Sequence, residues 1–322
     1  MELRAAALFL GFFLDFLIGD PHWLYHPVRL IGSAISVLSR GIRSVLPETD
    51  RGERAGGILL ILLIGAGCFC IPFFLLKLCY GWNRTAGFLL ESLFCYQMIA
   101  AKALKDESMK VFAELKKGSL SGARREVSMI VGRDTQRLNE TGVIKAAVET
   151  VAENTSDGVV APLFYMALGG APLMFLYKGI NTMDSMVGYR NEKYLNFGRY
   201  PAKLDDLANF LPARISAWFM IAACFFTKKD VSMAKKIYIR DRRNHKSPNA
   251  AHTEAVTAGA LHIQLAGNAW YFGRLYEKPS IGDDLRKPEP EDIQRANELM
   301  YGCSLLAAVV FGFILIMIGL NF

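Results

Sequence analysis

The chain has 322 residues, 52% of them hydrophobic, with a mean hydropathy of +0.23 and a formal net charge of +7. That is too apolar for an ordinary soluble domain, and the apolar runs extend from end to end, so one membrane-embedded domain over residues 1–322 is expected. The basic excess suits loops facing anionic lipid or an anionic substrate; no basic stretch is interleaved with aromatics, which argues against nucleic acid as a partner.

Residues 3–18 are apolar but short and interrupted by Asp15, a borderline span by length. No Ala-x-Ala site precedes Asp15, so a cleaved leader is not expected. Residues 55–80 form the cleanest span, with Lys77 able to snorkel at its end. Residues 85–103 are amphipathic, carry Glu91 and Gln97, and can return across the membrane. Residues 102–137 are charged and rich in helix formers, with a break at 116–122, which predicts a helical hairpin inserted on the cytoplasmic side. Residues 159–177 are apolar but broken by Gly169, Gly170 and Pro172; residues 207–226 contain Pro212 and Arg214. A polar cytoplasmic region is expected over about 227–299, with loop signals at Ser247-Pro248-Asn249 and around Pro279, Pro288 and Pro290. Residues 301–320 form a second clean span. The six cysteines lie in or beside apolar segments and read as small core hydrophobes. The predicted fold is all-α and polytopic, with about four to six membrane segments.

Charge makes a simple topology impossible. The 20–54, 102–137, 178–203 and 228–246 stretches are all basic, and they cannot all be cytoplasmic if every apolar run crosses once. The repair is that 159–177 and 207–226 are re-entrant or buried. Irregular backbone is tolerated at membrane depth when protein or a water-filled cavity surrounds it.

Polar clusters flank these segments, and ionisable groups at membrane depth mark functional sites. Residues 143–154 read as a helix. On it Glu149 and Glu153 are four apart, and Asp157 follows at the same step, so the three acids can share one stripe. Like charges at that spacing repel, and a Mg²⁺ bound together with a phosphate would relieve them; the alternative is a solvated helix face. Arg133, Asp134 and Thr135 either hold a phosphate or cap a helix. Asn181, Asp184, Ser185 and Tyr189 form a polar string after Lys178, and a turn is the alternative for Asn181 and Asp184. Asp205, Asp206, Asn209 and Arg214 form either a second metal or ion-pair site or an acid-favouring helix start. Ser247, Asn249, His252 and Glu254 lead into a small-residue helix, where His252 or Glu254 can serve as a base. His22 and His26 lack an obvious third zinc ligand, and no GxxxxGK[ST] motif occurs.

Taken together these strings resemble the CbiB/CobD family, the adenosylcobinamide-phosphate synthases of cobalamin biosynthesis. The pieces are Asp15-Phe-Leu-Ile-Gly-Asp20-Pro21 with His26-Pro-Val-Arg29; Gly132-Arg-Asp-Thr135; Val148-Glu-Thr-Val-Ala-Glu-Asn154 with Asp157-Gly158; Asn181 to Tyr189; Asp205-Asp206 with Asn209 and Arg214; and Ser247-Pro-Asn249 with Glu254. They stand in family order over about two thirds of the chain. Ala250 and Ala251 stand where a glycine is expected. The resemblance implies a multi-pass enzyme of the cell (inner) membrane with its active site facing the cytoplasm. It would be an ATP-dependent ligase joining adenosylcobyric acid to aminopropanol phosphate, or to aminopropanol, with Mg²⁺. The cobalt belongs to the substrate. Catalysis would fall to Glu149, Glu153, Asp184, His252 and Glu254. Substrate and ATP would be bound by Asp20, His26, Arg29, Arg133, Asp134, Thr135, Asn154, Lys178, Asn181, Ser185, Tyr189, Asn209, Arg214, Ser247 and Asn249, and Mg²⁺ by Glu149, Glu153, Asp157, Asp205 and Asp206. From the residues alone, a proton- or ion-coupled transporter using the same acids is the alternative.

Overall fold

A computed structural model describes residues 2–21, 23–189, 191–271 and 273–321. His22 and Arg190 lie outside them. The first half of the chain forms α1 (Glu2–Ile18), α2 (Pro27–Val45), α3 (Asp50–Trp82), α4 (Arg84–Met98), α5 (Ala101–Lys116), α6 (Leu120–Ser128) and α7 (Glu140–Thr155). A π-helical turn (Ser156–Val160) leads into α8 (Ala161–Val187). Then come α9 (Arg199–Ala208), α10 (Phe210–Phe226), α11 (Val231–Asp241) and α12 (Ala250–Leu261). Four short strands follow, β1 (Leu265–Ala266), β2 (Ala269–Tyr271), β3 (Arg274–Tyr276) and β4 (Ser280–Ile281), before α13 (Glu291–Asn321). The strands pair antiparallel as β1 with β4 and β2 with β3. The fold is all-α and polytopic. Among the described residues four helical runs are long and apolar enough to cross a membrane: Asp50–Trp82, Arg84–Lys116, Glu140–Val187 and Glu291–Leu320. The bent pair α9–α10 makes a fifth if it counts as one span.

The chain packs as two compact units, each discontinuous in sequence. The first comprises Met1–Ala100, Ala161–Asn209 and Ala308–Phe322. Here α1 lies along α4, and α3 packs on α2, α4 and α8. Thr49 caps α3 by accepting from the Gly52 amide at 3.1 Å, and Asp50 and Glu53 favour the positive end of the helix dipole. Leu62, Ile71, Phe74 and Leu78 on α3 are more than 60% or nearly 60% unburied within the protein, as a face turned to hydrocarbon requires.

The broken segments are broken where the sequence predicts. In α8 the backbone leaves the helix at Gly169 and Gly170, and Gly170 has φ +72°. Pro172 then falls in the first turn of the resumed helix, where it is tolerated. Beside this break, Glu91 is buried and held by Arg4 (3.7 Å) and by the Tyr80 hydroxyl, which donates at 2.7 Å. The second break lies at Asn209, where α9 and α10 meet at 44°.

Two of the four basic stretches meet within this unit. The Arg43 guanidinium pairs with Glu53 at 2.6 Å, donates to the Lys193 carbonyl, and lies over the Phe197 ring at 4.6 Å. Arg54 donates to Asn196 at 3.0 Å, and Asn196 donates to Asp50 at 3.0 Å. The basic 20–54 and 178–203 loops therefore share one end of the unit.

The second unit comprises Ala101–Val160 and Phe210–Ala307. α5 and α6 pack as the expected hairpin, and α7 packs on both. α12 runs through the middle, against α7, α10 and α11. All twelve of its residues are buried, which its run of alanines and threonines allows. A helix that is apolar or small all round belongs in a core. Gly259 sets the crossing with α11: a Cβ there would come within 2.4 Å of the Met233 carbonyl oxygen.

Gly170→Ala should lower the thermal midpoint of the detergent-solubilised protein by roughly 2–8 °C. A positive φ costs a non-glycine residue about 1–2 kcal/mol, and the new Cβ would stand 2.8 Å from Glu91 Oε1. Gly67→Ala, which meets nothing within 4 Å, should leave the midpoint unchanged.

Candidate functional site

In the second unit, the loop after α6 carries Gly132, Arg133, Asp134 and Thr135. Asp134 neither caps a helix nor faces a cavity. Its amide donates to the Trp270 carbonyl at 2.9 Å, and its carboxylate accepts from the Gly273 amide at 2.7 Å. The Arg137 guanidinium lies over the Trp270 ring at 4.4 Å. Asp134 thus fastens the β2–β3 hairpin to the loop, and Thr135 is buried behind it.

This clamp closes a small cavity of about 130 Å³, room for roughly four waters. α7 contributes Glu149, Glu153 and Asn154, and α12 contributes Glu254. Arg133, His245, Tyr271 and Lys278 complete its polar wall. Arg133 forms an ion pair with Glu149, whose other oxygen accepts from the Ala266 amide at 2.7 Å. Glu149 is therefore fully engaged. Lys278 donates to the Tyr271 hydroxyl at 2.9 Å. Glu254 is buried, and its Oε2 has no hydrogen-bond partner. Burial, then the negative charges of Glu149 and Glu153, push its carboxyl well above the usual range despite Arg133 and Lys278. The stripe extends no further: at Ser156 the α-helix passes into the π-turn, the four-residue step is lost, and Asp157 is not among the residues lining this cavity.

A larger cavity of about 610 Å³ lies on the other side of His245. It is walled by Arg214 and Trp218 of α10, Tyr238 and Arg242 at the end of α11, and the 243–248 loop with Ser247. Arg214 donates to Asn249 Oδ1 at 3.2 Å. His252 faces this cavity, with its Nδ1 3.3 Å from the Tyr238 hydroxyl. Burial, then Arg214, Arg242 and Arg243, push the imidazole down to about 4, and burial does the same to His245. Between the two predicted bases, Glu254 has the electrostatic setting that binds a proton tightly.

The first unit has its own polar cavity of about 260 Å³, which brings Asp20, His26, Arg29 and Lys178 together. His26 caps α2, its Nδ1 accepting from the Val28 amide at 3.3 Å, while Nε2 faces Asp20 at 3.5 Å. Burial pushes the Asp20 carboxyl up and the His26 imidazole down. Asn181 and Asp184 stand on the last turns of α8, not in a separate turn; Ser185 and Tyr189 are exposed. Asp205 and Asp206 lie near the C-terminal end of α9 rather than at a helix start. Asp205 accepts from the Asn181 and Asn209 side-chain amides at 3.3 and 3.1 Å, and the Tyr177 hydroxyl donates to Asn209 at 2.8 Å. N–H donors, not a second acid, satisfy this carboxylate.

Among the described residues no three His, Cys, Asp or Glu side chains converge closely enough to hold a metal unaided. Glu153 and Asn154 do place oxygen donors in the small cavity. A Mg²⁺ that keeps waters and takes phosphate oxygens needs only one or two carboxylates, so this donor set fits a shared ion and not a closed site. Sequence reading missed Lys278, Tyr271, Trp218 and Tyr238, which carry no local signal. Arg242, Arg243, His245 and Lys246 form a visible basic run, read above only as topology.

A family profile described as CobD/Cbib protein matches residues 8–300, which include every residue lining the three cavities. This chain belongs to the CobD/CbiB family. It is similar to the "Cobalamin biosynthesis protein CobD" of Clostridium perfringens, at 44% identity over 303 residues, 94% of this chain and 95% of that one. Relatives of the same name in Klebsiella pneumoniae (44% over 299 residues, 92% and 93%) and Listeria monocytogenes (41% over 311 residues, 96% and 97%) are alike at full length. No solved structure matches, so the cavities described here supply the geometry for this CobD/CbiB chain.

The raised Glu254 carboxyl sets a pH dependence. Its ordinary value is 4.5, so the unfolded state ionises first, and folding stability falls as pH rises from there toward the folded-state value. The depressed histidines, ordinarily at 6.5, act oppositely but only below that pH. Rising pH above 4.5 should therefore lower the ligand-free thermal midpoint through Glu254, and Glu254→Gln should make the midpoint less sensitive to rising pH than in the wild type. Parallel slopes for the two proteins would refute the assignment.

Proposed function

We propose that this chain acts in cobalamin biosynthesis as an adenosylcobinamide-phosphate synthase of the cell membrane. It would join the carboxylate of adenosylcobyric acid to the amine of aminopropanol phosphate, or of aminopropanol, with consumption of ATP. The observation that carries this reading is the small cavity of a CobD/CbiB chain: a buried carboxyl with an unused oxygen, beside two further acids and two cations.

A carboxylate is a poor electrophile. Transfer of the γ-phosphoryl group of ATP to a carboxylate oxygen makes an acyl phosphate and releases ADP. The amine nitrogen then forms the C–N bond as the C–O bond to phosphate breaks. The amine arrives as an ammonium ion and must lose a proton first. Burial favours the protonated form of Glu254; an ammonium beside it favours its carboxylate form, the displaced proton passing to solvent. That carboxylate takes one proton from the ammonium before the nitrogen attacks, and the second proton lost from nitrogen leaves with the departing phosphate. Glu153 supplies the second negative charge. Arg133, oriented by Glu149, and Lys278 present N–H donors to phosphate or carboxylate oxygens. Mg²⁺, when bound at Glu153 and Asn154, would supply neutralisation of phosphate charge.

Purified protein incubated with adenosylcobyric acid, ATP, Mg²⁺ and either amine should give the amide product by mass spectrometry. ATP turnover should depend on the corrinoid acid; ATP turnover indifferent to it would end this reading and favour transport. Glu254→Gln and Glu153→Gln should each lower product formation by about 10² or more, the scale of a lost acid–base or electrostatic contact, in folded protein.

The active face is proposed to be cytoplasmic, where ATP is found. The basic 102–137 and 228–246 stretches of the second unit support that orientation. In a cysteine-free background, M129C and L285C, both exposed positions of that unit, should react with a membrane-impermeant maleimide only after the cytoplasmic face is opened. Labelling of either from outside would reverse the orientation.

A further inference from the structure

The two cavities of the second unit have opposite electrostatic character. The small one contains three carboxyl groups. The larger one is lined by Arg214, Arg242, Arg243 and Lys246 and, among the described residues, by no acid. None of these four cations has a carboxylate partner among the described residues. Arg214 donates only to oxygen of Phe210 and Asn249 and lies over the Phe210 ring, and Arg242 lies over the Tyr238 ring at 5.4 Å. Elsewhere in the unit comparable cations are paired: Arg240 with Asp241 and Asp283, Arg286 with Asp292, Lys229 with Glu298. Four like charges gathered without a counter-ion repel one another, and a multivalent anion would relieve that repulsion.

Size and walls narrow the anion. A volume of about 610 Å³ is within the range for a cofactor-sized ligand, whereas about 130 Å³ in the small cavity is not. Trp218 and Tyr238 pack edge to face at 5.7 Å, and about half of Trp218 is uncovered, leaving a ring face on which a planar base can stack. Ser247 and His252 add neutral hydrogen-bonding groups.

We propose that this larger cavity is the nucleoside triphosphate site, with Arg214, Arg242, Arg243 and Lys246 gripping the phosphates and Trp218 and Tyr238 flanking the base. The assignment rests on the ATP-dependent reading above and adds where the nucleotide sits. It leaves the acid-bearing cavity for the ammonium end of the amine, whose charge suits Glu153 and Glu254, with the transferred phosphoryl group met there by Arg133 and Lys278. His245 lines both cavities and so stands where the two substrates approach each other. An anionic lipid headgroup offers the same phosphate chemistry, and α10 has an apolar exposed flank at Leu211, Phe225 and Phe226; the test separates the two sources.

Binding of a fluorescent ATP analogue and of inorganic tripolyphosphate should be measured on detergent-purified full-length protein without corrinoid. Both should bind and compete, and should weaken with salt. The double variant R242Q/R243Q should bind each roughly 100-fold more weakly, the expected loss of two charge-assisted contacts. K246Q, on an exposed side chain, is the milder second variant and should weaken both. K235Q/K236Q, an equal charge change on the exposed outer face of α11, should bind as wild type. In nanodiscs, added phosphatidylglycerol should not displace the nucleotide. The proposal is overturned if R242Q/R243Q and K246Q keep wild-type nucleotide affinity, or if phosphatidylglycerol competes for the cavity and the nucleotide does not bind there. Wild-type protein that ligates with ATP while R242Q/R243Q keeps its KM for ATP sinks this site alone. Wild-type protein that binds tripolyphosphate through these cations yet forms no amide sinks the ligase reading instead.

Discussion

Taking a charged group out of water is expensive, and the second unit is organised around that constraint. Glu149 is buried inside a helical core, and its ionised form is tolerable because Arg133 and the Ala266 amide meet both of its oxygens. Removing one partner of such a pair typically costs about 3–5 kcal/mol, so the loop at 132–135 and the β1 segment are bound to α7 as firmly as many apolar contacts would bind them. Glu254, on a different helix from Glu149, has no such partner for one oxygen. Burial, then the charges of Glu149 and Glu153, favour its protonated form. A carboxyl without a partner beside one paired with a guanidinium, each set by its surroundings, is a common way for a protein to divide acid and base roles between chemically identical groups.

The fold was largely legible in the sequence. Apolar length marks α3 and α13, the Lys–Gly–Ser–Leu–Ser–Gly break marks the α5–α6 turn, and Gly169, Gly170 and Pro172 mark the interruption of α8. The π-turn was not legible, because Ser156–Val160 has the composition of ordinary helix; widening of one turn depends on what the helix packs against. The two small sheets were equally hidden: strands of two or three residues carry no periodicity, and the contacts that fasten them, Asp134 to the β2–β3 hairpin and Glu149 to β1, are distant in sequence.

The candidate site was legible in its helical part only. Spacing brings Glu149 and Glu153 to one face, and the small-residue run predicts that α12 is a helix. Nothing in sequence says that Glu254 shares a cavity with them, since that contact spans about a hundred residues and depends on α12 crossing α7. Asp134 and Asp205 show the opposite failure. Both look reactive as letters, and both are satisfied by amide N–H groups that only the folded chain supplies. The basic run at 242–246 was visible, but charge alone cannot distinguish a lipid-facing loop from the wall of a cavity. The facing side chains of Arg214, Trp218 and Tyr238, which enclose that run as one cavity, make that distinction.

The knot around Arg43 has a consequence for how the protein is made. Its early partner, Glu53, is ten residues away, but the Lys193 carbonyl that completes it lies 150 residues downstream. At translation rates of about 5–20 residues per second, roughly 8–30 s pass before that partner exists. During this interval the ribosome delivers Ala101–Val160, which belong to the other unit. The first unit therefore cannot close before part of the second has emerged, and it receives its last piece, beyond Ala308, only when the second is complete. The first unit can be finished only after the second, and a chain stopped before Lys193 would leave both open, with the Arg43 loop held by Glu53 alone.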